Sequence, residues 1–84
     1  MRFETSIEAS EIINDLREQL KTVRYNPDLK KMLKNIELMS AEMSMAEVKA
    51  RQLHRPGLVD PPREKLTVAI DYLEKLLLMM RLLD

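Results

Sequence analysis

Apolar residues recur along most of the chain at alternating steps of three and four, the spacing that places side chains on one helix face. The segments Asn26-Pro27-Asp28 and 55–62 interrupt this pattern. We therefore predict an all-α fold, a three-helix bundle in one domain spanning 1–84, with helices at about 6–25, 27–54 and 61–83. The apolar stripes are Ala9, Ile13, Leu16, Leu20 and Val23 in the first helix; Leu29, Met32, Ile36, Met39, Met43, Ala46, Ala50 and Leu53 in the second; and Leu66, Ala69, Leu73, Leu76, Met80 and Leu83 in the third.

Capping signals support the helix starts. Thr5 followed by Glu8 has the spacing of a capping box, in which the two side chains satisfy free N–H groups. Asn26 is suited to be the N-cap of the second helix, and Pro27 is suited to be its first helical residue, where proline is favoured. We predict that Asp60 before Pro61 repeats this arrangement at the third helix.

The middle helix presents an ambiguity. Ser44 followed by Glu47 is a second possible capping box, and a break near 39–44 would give four helices instead of three. The apolar stripe runs through Met39 and Met43 without a change of phase, which favours one long helix.

The third helix is too apolar for a single small chain to cover. Thirteen of its eighteen residues from Leu66 to Leu83 are apolar, and a chain of this size buries only about 64% of its unfolded surface. A helix that is apolar nearly all round is buried on most sides. We therefore predict that this helix associates with a partner, a dimer being favoured. The residues predicted for self-association are Leu73, Leu76, Leu77, Met80 and Leu83, and those for self-association or another partner are Leu78, Met79 and Leu82.

A count of large apolar residues supports this inference. The chain has 33 Leu, Ile, Val, Met, Phe and Tyr residues, whereas a three-helix bundle of this length has about 30 inward sites. Alanine takes five of those sites, which leaves about eight large residues over, mostly after residue 65. Their burial would gain about 12–24 kcal/mol gross, against an association cost of about 4–15 kcal/mol.

Composition argues against several kinds of function. The chain has no cysteine and one histidine, His54, so thiol chemistry and multi-histidine metal sites have no residues to use. We expect no catalytic residues, no cofactor and no metal, and a protein that is not an enzyme. No apolar run approaches the roughly 20 residues of a membrane span, and we expect a soluble, cytoplasmic protein.

The preferred function is a non-catalytic helical interaction protein, such as a homodimeric adaptor or a chaperone-like or regulatory protein. The sequence leaves open whether the third helix pairs with its own copy or with another protein, and whether the pairing is parallel or antiparallel. A structural subunit of a larger assembly is one alternative, which would use heterologous contacts.

A small DNA-binding regulator is the other alternative. Its most specific form is a helix-turn-helix with helices at about 27–38 and 44–54. Fourteen basic residues balance fourteen acidic ones, so no overall positive charge attracts nucleic acid, and such a partner is not favoured. The residues that would contact phosphates are Lys30, Lys34, Lys49, Arg51 and Arg55.

Overall fold

The computed structural model describes residues 2–83, which form three packed α-helices and one short 3-10 helix. The helices are α1 (Ser6–Leu20), α2 (Pro27–Leu53), the 3-10 helix (Pro56–Val59) and α3 (Asp60–Leu83). The predicted all-α fold with three helices packed together is confirmed. α2 packs along both α1 and α3, whereas α1 and α3 contact each other less.

α1 begins as predicted but ends earlier. The Thr5 hydroxyl accepts a hydrogen bond from the Glu8 N–H at 3.2 Å, as an N-cap does. The helix ends at Leu20, so the prediction that it continues to residue 25 is wrong. Thr22 and Val23 are β-branched and favour helix weakly, and Asn26 must be extended because proline follows it.

α2 is one continuous helix from Pro27 to Leu53, so the alternative break near 39–44 is wrong. The Asn26 side chain accepts from the Asp28 N–H at 2.9 Å, which confirms the predicted cap. The second proposed capping box does not form, because Ser44 lies inside the helix and Glu47 binds elsewhere.

The link from α2 to α3 starts with a residue in the left-handed conformation. His54 has φ 54° and ψ 41°, and the Arg55 N–H then bonds to the Ala50 carbonyl at 2.9 Å. This closes the helix in the manner usually provided by glycine. Asp60 does not act as the predicted N-cap, since it is helical itself and its carboxylate accepts from Arg63 at 2.8 Å.

One apolar core runs along the bundle, and it follows the predicted stripe in α1. In α2 most of the predicted stripe is buried or half-buried, but Leu53 is exposed at the end of the helix, and Leu33, outside the stripe, is buried. In α3 the stripe is displaced: Ile70 and Leu77 are buried, whereas Ala69 and Leu76 are only half-buried at the edge of the core. The buried core residues are Phe3, Ala9, Ile13, Leu16, Leu29, Leu33, Ile36, Met43, Ala50, Val59, Leu66, Ile70, Leu73 and Leu77.

Residues 2–4 form an N-terminal arm that packs against α3. Phe3 is 1% exposed, and the Arg2 guanidinium beside it binds Asp71 at 3.0 Å and Glu74 at 2.9 Å. The hydrogen bonds that Arg2 donates to Glu74, and then the one it donates to Asp71, raise the pKa of Arg2 above its usual value. The Glu4 carbonyl accepts from Arg63 at 3.1 Å, so the arm is fixed at both ends.

The bundle is elongated. Its extents are 49 × 20 × 17 Å, and its radius of gyration is 14.0 Å, compared with about 12 Å for a compact domain of this length. A rod of three helices leaves more surface per residue than a sphere.

Candidate interaction surface on the third helix

The side of α3 that points away from the rest of the bundle carries a row of exposed apolar residues. Their exposed fractions are 68% for Val68, 57% for Tyr72, 56% for Met79 and 77% for Leu82. With Lys75 between them, these residues step by 4-3-4-3, which is the spacing of a helix-pairing seam. We call Val68, Tyr72, Lys75, Met79 and Leu82 the outer face of α3.

Other parts of α3 pack within the chain, whereas the outer face faces solvent. Leu66, Ile70, Leu73 and Leu77 fill the core, and the N-terminal arm binds Asp71 and Glu74 on one flank. On the opposite flank α3 lies against α2, where Met39 and Ala69 line the same two clefts.

The structure corrects part of the predicted self-association set. Leu73 is 0% exposed and Leu77 is 1% exposed, so both lie in the core of the single chain and cannot contact a second folded copy. Packing within the bundle already uses these two side chains. A count of apolar residues gives how many are in surplus, but it does not say which of them the core takes. Leu76 and Met80 are half-buried at the edge of the core, whereas Leu83 is 84% exposed beside the outer face.

The residues predicted for either kind of partner are all exposed. Met79 and Leu82 belong to the outer face, and both expose more than half of their side chains. Leu78 is 57% exposed but lies on the flank of Asp71 and Glu74, because the three residues share the 3-4 spacing of one helix line.

Two open clefts run between α2 and α3 next to the outer face. The larger, about 530 Å³, is lined by Met39, Pro61, Glu64, Lys65, Val68 and Ala69. The smaller, about 170 Å³, is lined by Met32, Asn35, Ile36, Met39, Ala69 and Tyr72. Methionine and alanine are suited to a surface that receives another helix. The flexible methionine side chain adapts its shape, and the small alanine side chain permits close approach of the backbones.

The chain exposes more surface than a monomer of its mass usually does. Its accessible area is 6015 Å², compared with about 5,200 Å² from the scaling for folded monomers. The difference of about 800 Å² belongs to the whole elongated bundle, and the exposed apolar residues of α3 and α2 are part of it.

A second exposed apolar row lies on the back of α2. Leu38, Met45 and Val48 are 63%, 73% and 44% exposed, and Ala41 completes their 3-4-3 spacing. This row is shorter than the outer face of α3. The open cleft of about 390 Å³ that adjoins it at Ala41 is lined mainly by serines, with Ile7 of α1 as its one large apolar residue.

The basic residues of the DNA-binding alternative are all exposed, but they do not form one patch. Lys30 and Lys34 share a side of α2, whereas Lys49 and Arg51 near its other end point in nearly opposite directions. The helix-turn-helix form is wrong, because its turn would fall inside the continuous α2. Nonspecific contact of these residues and Arg55 with nucleic acid stays a prediction.

A further cleft of about 520 Å³ lies at the end of the bundle and is lined by Glu47, Arg51, His54 and Arg63 among others. Glu47 and Arg63 bind Ser6 and Asp60. Within residues 2–83 no group of three or more possible metal ligands occurs, and no helix is long and apolar enough to cross a bilayer.

Comparison of the chain with protein-family models, with curated proteins and with solved structures gave no match.

Proposed function

We propose that this protein is a non-catalytic interaction protein that self-associates through the outer face of α3, as a homodimeric adaptor or a chaperone-like or regulatory protein does. The observation that supports the proposal is the exposed seam of Val68, Tyr72, Met79 and Leu82 on a helix whose other sides are packed. Singly exposed apolar residues are common on protein surfaces, but a contiguous row at helix-pairing spacing is typical of an interaction site.

A second copy that covers the outer face would remove its apolar side chains from water, which favours association. The apolar side chains on the outer face are large, and burial contributes about 1.5–3 kcal/mol for each such side chain.

The experiment compares two glutamate substitutions at exposed methionines. Met79→Glu places a charge in the outer face, whereas Met45→Glu places the same charge on the back of α2, where the side chain is even more exposed. A two-fold interface contains the substituted residue of both copies. Met79→Glu should therefore weaken self-association by at least about 100-fold. Sedimentation equilibrium measures this effect, and circular dichroism checks that both variants remain helical.

The control variant defines the result that would contradict the proposal. If Met79→Glu and Met45→Glu associate equally well, the outer face of α3 is not the contact. If Met45→Glu alone becomes monomeric, the row on the back of α2 is the interface. A larger polymer in place of a dimer would favour the structural-subunit alternative, since heterologous contacts do not close on themselves.

A further inference from the structure

A cleft of about 480 Å³ lies between the C-terminal end of α1 and the N-terminal end of α2, and its lining includes no described residue of α3. It forms where the helical path is interrupted, since α1 ends at Leu20 and α2 begins at Pro27. The connecting residues 21–26 turn from one helix to the other beside it. The volume falls within the range of about 300–1,000 Å³ that is usual for ligand-binding clefts.

The inner surface of this cleft is apolar. Leu33 is 6% exposed, and Leu20 and Val23 are half-buried against the core. We call these three residues the floor of the cleft. Tyr25 stands at the rim with 73% of its surface exposed. An aromatic side chain that the fold leaves in water beside an apolar floor is typical of a binding site.

Three cations surround the floor, and none of the described residues that line the cleft is acidic. Arg17 and Lys21 come from the α1 side and Lys30 comes from α2, so positive charge lies on both walls. Lys30 forms no ion pair with a side chain in residues 2–83. Lys21 binds Glu18 at 3.1 Å, and Arg17 lies 3.5 Å from Glu37. Both of these pairs are exposed and contribute little, so a carboxylate of a ligand can replace either acid.

The charge of the neutral chain is unevenly distributed. Residues 17–37, which contain the whole lining of the cleft, have six basic and three acidic residues, whereas residues 1–16 have one basic and four acidic residues. An excess of one sign of charge attracts a partner of the opposite sign and disfavours one of the same sign. The cleft of about 520 Å³ at the opposite end of the bundle is lined by both signs and has no such preference.

We propose that the cleft between α1 and α2 binds an acidic peptide segment of a partner protein. One large apolar side chain of the segment lies on the floor, and carboxylates on either side of it bind the cations of the two walls. Duplex nucleic acid would present phosphates to these cations, but phosphates leave an apolar floor uncovered. This site goes beyond the proposed self-association and does not depend on it, because the outer face of α3 contributes nothing to the lining.

Fluorescence anisotropy with labelled peptides tests the chemistry of the partner. The first peptide has a central leucine flanked on both sides by glutamates, the second has serine in place of the leucine, and the third has glutamines in place of the glutamates. We expect the first to bind at least about 10-fold more tightly than either of the others, since it alone matches both the floor and the walls. Equal binding of the leucine peptide and either other peptide overturns the proposal, and so does tighter binding of duplex DNA.

Two charge reversals on α2 test the place of binding. Lys30→Glu reverses the cation of one wall, whereas Lys49→Glu makes the same change of net charge at an exposed position outside the cleft. Lys30→Glu should weaken binding of the leucine peptide at least about 5-fold, and Lys49→Glu less than about 2-fold. Tyr25→Ala, also at an exposed position, should weaken it several-fold, and circular dichroism checks that the variants remain helical.

The results that overturn this site are distinct from those that concern α3. Equal effects of the two charge reversals, or no binding of the leucine peptide at about 1 mM, contradict the peptide site but leave self-association through the outer face intact. A natural chain that sediments as a monomer and still binds the leucine peptide through Lys30 contradicts the proposed function and supports this site.

Discussion

Glu47, near the C-terminal end of α2, joins this helix to the start of α1 by binding Ser6. Its carboxylate accepts hydrogen bonds from both the backbone N–H and the hydroxyl of Ser6, the former at 2.8 Å, across 41 residues of sequence. Ser6 is the first residue of α1, and its N–H has no partner inside the helix. A negative charge at this end also interacts favourably with the helix dipole.

Removing this carboxylate should destabilise the fold. We expect Glu47→Ala to lower the free energy of unfolding by about 1.5–3 kcal/mol, since a charge-assisted bond is lost and the Ser6 donor remains partly buried. Urea denaturation at one fixed protein concentration measures the change, because association would otherwise contribute to it. Glu42→Ala, an exposed position on the same helix, is the control and should change stability by no more than about 0.5 kcal/mol.

Leu77 and Leu78 are neighbours in sequence but differ in environment. Leu77 is 1% exposed and Leu78 is 57% exposed. We expect Leu77→Ala to cost about 2–5 kcal/mol of unfolding free energy, because it leaves a cavity in the core. Leu78→Ala should cost less than about 1 kcal/mol. Thermal or urea unfolding measures both losses, and equal losses would contradict the orientation of α3, in which Leu77 faces the core and Leu78 faces solvent.

Phe3 makes the N-terminal arm part of the core. Its ring is 1% exposed, and we expect Phe3→Ala to destabilise the protein by about 3–5 kcal/mol. Ile7→Ala removes a comparably large apolar side chain that is 73% exposed, and its effect should stay within about 0.5 kcal/mol. Hydrogen exchange offers a second readout, since loss of Phe3 should increase exchange in the part of α3 near Asp71.

His54 carries the one positive φ angle among the described non-glycine residues. The left-handed conformation costs a side-chain-bearing residue roughly 1–2 kcal/mol, and glycine adopts it freely. We expect His54→Gly to raise the unfolding free energy by about 0.5–1 kcal/mol, measured by the shift in the urea midpoint. His54→Ala keeps the Cβ atom and should give no such gain, so equal effects of the two substitutions would contradict this explanation.

The sequence was sufficient to predict the helices and most of their starts, because capping residues and 3-4 spacing are local signals. It did not predict which leucines of α3 are buried. In Leu76-Leu77-Leu78 every position is apolar, so hydrophobicity alone cannot fix the helix phase. Ile70 and Leu77 are selected for the core by the direction from which α2 and the N-terminal arm approach, and that direction is set by tertiary packing.

The N-terminal arm was missed for a related reason. Phe3 is a single apolar residue before the first cap, with no periodic pattern around it. The available signal was Arg2 beside it, whose acidic partners Asp71 and Glu74 lie on one line of a distant helix. The exposed outer face, in contrast, follows from the surplus of apolar residues after residue 65, which the sequence count does identify.

Sedimentation equilibrium of the unaltered protein, from about 1 μM to about 200 μM, tests the central claim most directly. Self-association through the outer face of α3 predicts a mass that rises with concentration to twice that of the 9.9 kDa chain and no further. A mass that stays at 9.9 kDa over the whole range would contradict it.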